Sequence, residues 1–132
     1  MRRIFVDTSA WYAYANRHDR WHQEAKEIIE TDDAPLLVTS ITVISEFLSV
    51  LRVRTGAKES IQAQELLLNE PRMAVETHEM QDFHKATALF KTAPRHASFV
   101  DCLNVTTAQR LKIQEILAFD PWFKTTGLTT LP

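Results

Sequence analysis

Cysteine and glycine are nearly absent from this sequence. The one cysteine, Cys102, has no partner for an intramolecular disulfide, and a zinc site built from four cysteines is excluded. Only two of the 132 residues are glycine, and neither belongs to a glycine-rich loop of the kind that cradles phosphates. Disulfide-stapled secreted domains and proteins with glycine-rich phosphate loops are therefore excluded.

Long hydrophobic runs and an excess of positive charge are also lacking. No run of about 18 apolar residues occurs, so we expect no membrane span. The three apolar residues after the first two arginines are too few for a secretion signal. The net charge of −2 gives no overall attraction for nucleic acid, so such binding must come from a local patch. We expect one globular domain over residues 1–132, located in the cytoplasm.

Short apolar runs alternate with stretches of helical periodicity. Ile4-Phe5-Val6 is apolar at every position, which is typical of a strand buried on both faces of a parallel sheet. The pattern predicts strands at 4–6, 36–39, 73–76 and 116–119 with a weaker one at 128–131, and helices at 10–16, 20–30, 42–55, 58–69, 80–92 and 98–111. The long connections between strands predict an α/β fold, with a mainly parallel sheet of four or five strands flanked by helices.

Four carboxylates stand where such a fold would bring them together. Asp7 and Asp120 each follow an apolar strand, and ligands of open α/β sheets collect beyond the carboxyl ends of the strands. Asp101 opens the helix predicted at 98–111, and Glu46 lies at the edge of the apolar stripe of an earlier helix. Converging carboxylates raise one another's pKa values, and a divalent cation removes that penalty. Oxygen ligands alone favour Mg²⁺ or Mn²⁺ over zinc and suit metal-assisted phosphodiester hydrolysis.

Each of these acids also has a purely structural interpretation. Asp7 and Asp120 are good helix N-caps, the second before a proline at the favoured first helical position. Ser98 and Asp101 have the spacing of a capping box. Glu46 is either a solvated surface residue or, as the helical wheel indicates, a carboxylate half-turned toward the core. The second arrangement is costly unless the charge is paired or bound to metal.

Four short stretches surround these acids. They are Ile4-Phe5-Val6-Asp7-Thr8-Ser9-Ala10, Thr39-Ser40 through Ile44-Ser45-Glu46-Phe47, Ala97-Ser98-Phe99-Val100-Asp101-Cys102, and Leu117-Ala118-Phe119-Asp120-Pro121-Trp122-Phe123. In order and spacing they resemble the PIN domain ribonucleases, in particular the VapC-type toxins of prokaryotic toxin–antitoxin pairs, and they span nearly the whole chain. Residues 19–25 are also similar to the second helix of that family. One departure is Ala118, which stands where members often carry Thr or Ser.

The resemblance implies a three-layer PIN-like fold, an activity and partners. It implies that Asp7, Glu46, Asp101 and Asp120 form the catalytic cluster and hold Mg²⁺ or Mn²⁺, with Asp7 and Asp101 as the principal ligands. It implies an endoribonuclease in which metal-activated water attacks an RNA phosphodiester and leaves a 5′-phosphate. It further implies a homodimer and an antitoxin protein that occupies the acidic site.

Other functions remain open from the sequence. A PIN-fold nuclease could process RNA without being a toxin, and a non-catalytic PIN module could bind RNA or protein, although none of the four acids is missing. A phosphatase with Asp7 as nucleophile normally shows D-x-D, whereas Ser9 occupies the third place here. His18 and His22 have the spacing of a zinc metalloprotease motif, but Asp19 replaces the glutamate base and is predicted to cap the next helix.

Aromatic residues crowd the first two predicted helices. They are Trp11, Tyr12, Tyr14 and Trp21. We interpret most of them as core packing and some as anchors in a groove for an antitoxin helix, because aromatic side chains are favoured interface anchors. Their spacing does not resemble a base-stacking platform.

Basic residues and histidines are scattered between the acidic segments. The basic residues are Arg17, Arg20, Arg95 and Lys124, and the histidines without a shared spacing are His78, His84 and His96. We expect the histidines to lie at the surface. The basic residues could contact RNA phosphates, but scattered surface charge is the commoner explanation, and none is predicted as a site residue.

Overall fold

Five strands form one parallel sheet with the first strand at its centre. In this computed structural model, which describes residues 1–132, the strands are β1 (Arg3–Val6), β2 (Leu36–Ser40), β3 (Met73–Glu76), β4 (Glu115–Leu117) and β5 (Thr129–Leu131). Their spatial order is β3-β2-β1-β4-β5, and every pair is parallel. Ile4, Phe5 and Val6 are fully buried because β1 is covered on both faces and paired on both edges. The predicted α/β class is confirmed, with five strands.

Six α-helices cover the sheet. They are α1 (Thr8–Ala15), α2 (His22–Ile29), α3 (Ile41–Thr55), α4 (Ala57–Asn69), α5 (Met80–Thr92) and α6 (Phe99–Arg110), and a 3₁₀ turn follows at Pro121–Thr125. The chain runs from β1 through β2 to β3, then returns across β1 to β4 and β5. Because parallel crossovers are right-handed, this reversal places α1–α4 on one face and α5–α6 on the other. The helix contacts agree, since α3 packs on α1 and α4 while α5 packs on α6.

The hydrophobic core joins both helical layers to the sheet. Val43, Phe47 and Leu51 of α3 and Val105 and Ala108 of α6 belong to the same buried cluster as the residues of β1. The spacing of the α3 residues is the apolar stripe that the sequence predicts. None of the helices combines the length and apolarity that crossing a bilayer would require.

Several predicted boundaries differ from the structure by one or two residues, and two of the differences bear on the site. The helix predicted at 20–30 begins at His22 because Asp19 forms a turn instead of an N-cap. Its Oδ1 accepts a hydrogen bond from the Trp21 N–H (2.8 Å), and its carbonyl oxygen accepts one from the His22 N–H (3.0 Å). The strand predicted at 116–119 is β4, which ends at Leu117, three residues before Asp120.

The end of α3 agrees with the sequence. Gly56 has a φ of +106°, a backbone conformation that favours glycine, and its N–H donates to the Arg52 carbonyl oxygen (2.9 Å). The same glycine precedes α4, so α3 and α4 are joined by a single residue. This tight connection fixes the direction of α3, which carries Glu46.

Candidate active site

A cleft opens where β1 and β4 lie side by side and the chain leaves them in different directions. Asp7 directly follows β1, and Asp120 lies three residues beyond β4. The cleft has a volume of ≈ 480 Å³, and Asp7, Glu46, Asp101 and Asp120 all line it. The structure therefore brings all four predicted acids to one place, at the kind of switch point where open α/β sheets bind ligands.

Asp7 is the most enclosed of the four acids. It occupies the N-cap position of α1, but its side chain makes no capping hydrogen bond and is 4% exposed. Its Oδ2 accepts a hydrogen bond from the Ser9 hydroxyl (2.9 Å), and its Oδ1 accepts one from Asn104 Nδ2 (3.3 Å). Burial, reinforced by the negative charge of Asp101, raises the pKa of Asp7 to about 7. The capping interpretation thus fails for the carboxylate, which faces the cleft.

A chain of buried hydrogen bonds lies behind Asp7. Asn104 is fully buried, and its Oδ1 accepts from the Ser40 hydroxyl (3.3 Å). Ser40 is the N-cap of α3 and accepts from the Val43 N–H (3.1 Å). The carboxylate of Asp7 is therefore tied to the start of the helix that carries Glu46. The sequence analysis missed Asn104, although a polar residue between apolar neighbours in α6, three places after Asp101, is a usable signal.

The same chain of hydrogen bonds continues to His78, which the sequence analysis placed at the surface. Ser40 Oγ lies 2.9 Å from Thr42 Oγ1, and Thr42 Oγ1 lies 2.7 Å from His78 Nε2. His78 Nδ1 lies 2.7 Å from Thr107 Oγ1. Burial lowers the pKa of His78, because the ring is partly removed from water between α3 and α6. The expectation of a free surface histidine is therefore wrong for His78.

Asp101 serves as a cap and also faces the cleft. Its Oδ2 accepts from the Ser98 N–H (2.9 Å), while Ser98 Oγ accepts from the Asp101 N–H (3.0 Å). This confirms the predicted capping box. Burial raises the pKa of Asp101, the hydrogen bonds from Ser98 oppose that rise, and the charge of Asp120 adds to it. The capping bond occupies Oδ2 and leaves Oδ1 without a protein donor.

Both oxygens of Asp120 have partners. Oδ1 accepts from the Trp122 N–H (2.9 Å), which caps the 3₁₀ turn as the sequence predicts. Oδ2 lies 2.8 Å from Nε2 of His96, whose side chain is 63% exposed. His96 is thus a surface residue, as expected, but it contacts a site acid, which no sequence spacing indicates.

Glu46 lines the cleft from the solvent side of α3. It is exposed, so the expectation that its carboxylate is half-turned toward the core is wrong. Desolvation against the cleft wall, together with the charge of Asp101, still raises the pKa of Glu46. The Thr8 hydroxyl lies beside this carboxyl, yet Thr8 Oγ1 is buried without a partner of hydrogen-bond geometry. An unpartnered buried oxygen beside the Glu46 carboxyl is a site where a cation or its bound water would fit.

The arrangement of donors in the cleft fits a divalent cation in its chemistry. No three Asp, Glu, His or Cys side chains are placed to coordinate one ion together in the conformation described. However, burial and mutual repulsion raise the pKa values of Asp7, Glu46 and Asp101, and no Lys or Arg forms an ion pair with any of them. A cation would remove that repulsion and would meet only oxygen ligands, as Mg²⁺ and Mn²⁺ prefer.

The histidine pair that mimics a zinc motif does not form a metal site. His22 Nδ1 lies 2.8 Å from the Ala13 carbonyl oxygen, and His18 lies outside α2 as expected. The zinc interpretation is therefore not supported by the geometry.

The aromatic residues divide between the core and the cleft. Trp11 is buried and donates to Thr39 Oγ1 (3.2 Å), which confirms its predicted packing role. Tyr12 and Trp21 instead line the acidic cleft, and Trp21 stacks on Phe119. The sequence analysis missed Phe119 because a strand reaching residue 119 would hide its ring, whereas β4 ends earlier.

Known proteins with a similar sequence or fold match this chain over nearly its whole length. The family model of the PIN domain matches residues 4–127. The chain is similar to the 23S rRNA-specific endonuclease VapC20 of Mycobacterium tuberculosis, with 32% identity over 126 residues that cover 94% of each protein. The crystal structure of Mycobacterium tuberculosis VapC20 is described as that of a toxin that cleaves the sarcin–ricin loop. It superposes on this chain with a TM-score of 0.84 at 30% sequence identity, and the match covers 98% of this chain and 99% of that one.

More distant solved structures share the fold alone. FitAcB from Neisseria gonorrhoeae has a TM-score of 0.72 at 12% identity, with 98% of this chain and 96% of that chain covered. VapBC2 from Rickettsia felis, bound to a DNA fragment from its promoter, has a TM-score of 0.70 at 13% identity, with 97% and 96% covered.

Proposed function

The chain belongs to the PIN domain family, and we propose that it is a metal-dependent endoribonuclease that hydrolyses RNA phosphodiester bonds as the toxin of a VapBC-type pair. The observation that carries the proposal is the meeting of four carboxylates in one cleft beyond β1 and β4. The similarity to a 23S rRNA-specific endonuclease makes 23S rRNA the first substrate to test. We assign the whole chain, residues 1–132, to one catalytic domain that acts in the cytoplasm.

Asp7, Asp101 and Glu46 are the residues that would hold Mg²⁺ or Mn²⁺ directly. Asp101 Oδ1 has no protein donor, and the two oxygens of Asp7 accept only from the neutral side chains of Ser9 and Asn104. In Asp120, by contrast, Oδ1 accepts from a backbone N–H and Oδ2 lies against His96, which can carry a positive charge. Asp120 would therefore contact the cation through a water molecule, or directly after its contact with His96 is broken. The chemistry that such an ion supplies is a lowered pKa of bound water and neutralisation of phosphate charge.

The chain's own residues prepare this site. Asn104 and Ser9 each hold one oxygen of Asp7, so the carboxylate keeps one orientation. The capping box orients Asp101 from the start of α6. Because the pKa of Asp7 is raised to about 7, a cation bound by this carboxylate would displace its proton, and metal binding would then release protons near neutral pH.

Metal-dependent cleavage of RNA tests this proposal. The purified protein should cut 23S rRNA or a single-stranded RNA with Mg²⁺ or Mn²⁺, and EDTA should stop the reaction reversibly. Asp7→Asn and Asp101→Asn should each lower the rate by at least about 100-fold, since even outer-shell changes at metal sites cost 10- to 100-fold. Asp33→Asn, at an exposed aspartate between α2 and β2, is the matched control.

Other outcomes of the same assay would contradict the proposal. Hydrolysis of p-nitrophenyl phosphate without cleavage of RNA would indicate a phosphatase. RNA binding without metal-dependent cleavage would indicate a non-catalytic module.

We further propose an antitoxin partner that occupies the cleft and an adjoining groove. The groove has a volume of ≈ 440 Å³ and runs between α1–α2 and α3–α4, where Tyr14, Leu66 and Leu67 offer apolar surface. Growth arrest on expression, relieved by co-expressing the small protein encoded beside this one, would support a toxin. Unchanged hydrogen exchange over residues 11–29 in the complex would remove the first two helices from the contact, and normal growth on expression would favour an RNA-processing role.

We also propose a homodimer. Met80, Phe83 and Phe90 of α5 are exposed, and the rings of Phe83 and Phe90 contact Phe99 with centroids 5.3 and 5.4 Å away. Exposed apolar patches of this kind are commonly interfaces. Phe83→Ser should shift the mass in solution toward a monomer, whereas Val53→Ser, at an exposed valine of α3, should not.

A further inference from the structure

An acidic cleft repels the polyanion that it is proposed to cut. Five carboxylates line it, the four predicted acids and Asp19, and the protein as a whole carries a net charge of −2. RNA must therefore find positive charge close to the cleft, because affinity for nucleic acid comes mainly from phosphate contacts. Two arginines meet that requirement.

Arg54 reaches the cleft from α3. It stands eight residues after Glu46, and Glu46, Val50 and Arg54 lie on one face of the helix and line the cleft together. Its guanidinium carbon lies 4.7 Å from the ring centroid of Tyr12, which also lines the cleft. Arg54 makes no salt bridge, so its donors are not taken by a carboxylate.

Arg20 does not itself line the cleft, but it lies over an aromatic ring that does. Its guanidinium carbon lies 4.7 Å from the ring centroid of Trp21. Trp21 stacks on Phe119, with centroids 5.0 Å apart and planes within 4°, and both rings line the cleft. Arg20 likewise makes no salt bridge.

Stacking on an aromatic ring distinguishes these two arginines from the others. Arg2, Arg72 and Arg110 are bound to carboxylates. Arg17 and Arg52 are exposed, but neither lies over an aromatic ring. A guanidinium stacked on a ring keeps its planar fork oriented, and that fork matches a phosphate.

We propose that Arg20 and Arg54 bind the RNA phosphates that flank the scissile phosphodiester, an assignment that rests on the proposed ribonuclease function. The aromatic rings of Tyr12 and Trp21, which line the cleft, hold the Arg54 guanidinium within it and the Arg20 guanidinium next to it, and neither guanidinium forms an ion pair with the acids. The positive charge is thereby available to the substrate and is not cancelled by the acids that would hold the cation.

The salt dependence of RNA binding tests the assignment. In an Asp101→Asn background that all variants share, affinity for a fluorescent single-stranded RNA is measured over a salt series. Arg20→Gln and Arg54→Gln should each weaken binding and reduce the slope of log affinity against log salt by about 0.7, and the double variant by about 1.4, as expected for phosphate contacts to a single strand. Arg17→Gln and Arg52→Gln, three and two residues away, are the matched controls.

Each other outcome has a distinct meaning. Slopes equal to those of the controls, with or without a lower melting temperature, would overturn the assignment and leave the arginine–aromatic pairs a structural role. Normal RNA binding with loss of neutralisation by the antitoxin would assign the arginines to that interface instead. Failure of the wild-type protein to cleave RNA with any metal would overturn the proposed function and this inference with it, whereas cleavage with unaltered variant slopes would overturn the inference alone.

Discussion

Asp7 and Asp82 are both buried aspartates, but their surroundings differ. Asp82 is 1% exposed at the contact of α5 and α6, and Arg110 Nε donates to both of its oxygens (3.0 and 2.9 Å). Asp7 is 4% exposed and has only neutral donors, Ser9 and Asn104. Removing one partner of a buried ion pair is strongly destabilising, whereas a buried carboxylate without an ion-pair partner is costly unless a cation compensates its charge.

Removing the charge of Asp82 should lower the free energy of unfolding more than removing the charge of Asp7. Asp82→Asn removes the buried carboxylate that Arg110 Nε contacts and leaves the guanidinium only the exposed Glu79 as an ion-pair partner (3.3 Å), and breaking a buried pair costs about 3 kcal/mol. Urea unfolding of the metal-free protein measures this, and Asp7→Asn is the matched variant, which we expect to be no less stable than wild type. Equal destabilisation by both changes would contradict the contrast.

The pH dependence of stability should follow Asp7. Its pKa is raised to about 7 in the folded state, well above the ordinary value near 4, so the folded state holds a proton that the unfolded state has lost. The contribution of protonated Asp7 to the free energy of unfolding is fully present below about pH 4 and is lost as the pH rises toward 7. Between about pH 4.5 and 6.5 we expect metal-free wild type to lose about 2 kcal/mol more than Asp7→Asn. Parallel curves for the two proteins, or the opposite slope, would contradict this.

The buried hydrogen bonds behind Asp7 should matter for metal affinity. Asn104→Leu removes the donor to Asp7 Oδ1 and the acceptor of the Ser40 hydroxyl, and we expect Mn²⁺ affinity to fall by about 10-fold, as for other outer-shell changes. Calorimetric titration measures it. Thr106→Val, which alters a buried polar residue of α6 that contacts no site acid, should leave the affinity unchanged.

The smallest effect on stability is expected at Glu46. Because this residue is exposed, Glu46→Gln should alter the free energy of unfolding by no more than about 0.5 kcal/mol. The same change should weaken Mg²⁺ or Mn²⁺ affinity and slow RNA cleavage. If the affinity is unaltered, Glu46 is a surface residue and not a ligand.

The sequence predicts the acids better than it predicts their surroundings. The apolar run Ile4-Phe5-Val6 is typical of a strand covered on both faces, so the position of Asp7 at the end of a central strand follows from local pattern. The capping box at Ser98 and Asp101 is likewise a local feature. By contrast, the contacts of Asn104 with Asp7 and of Arg54 with Tyr12 join residues far apart in the chain, and no periodicity encodes them.

The wrong predictions for His78 and Glu46 also arise from contacts between distant parts of the chain. His78 lies in a polar stretch and was expected at the surface, but Thr42 and Thr107 from two different helices enclose its ring. Glu46 lies at the edge of an apolar stripe, yet it is the shape of the cleft that leaves it exposed. A helical wheel shows which side of a helix faces the core, but it does not show where a neighbouring element stops.

The placement of β1 between β2 and β4 has a consequence for how the protein is made. Val6 pairs with Leu117, and the Asp7 N–H donates to the Leu117 carbonyl oxygen (3.2 Å), so the first strand is completed by residues near the other end of the chain. During synthesis the ribosome releases the chain from its N-terminus, and such long-range pairing forms late. A growing chain therefore carries Asp7 and Glu46 without the strand that positions Asp120. Assembly of the cleft waits until β4 and Asp120 have left the ribosome, so products truncated before residue 115 should be inert.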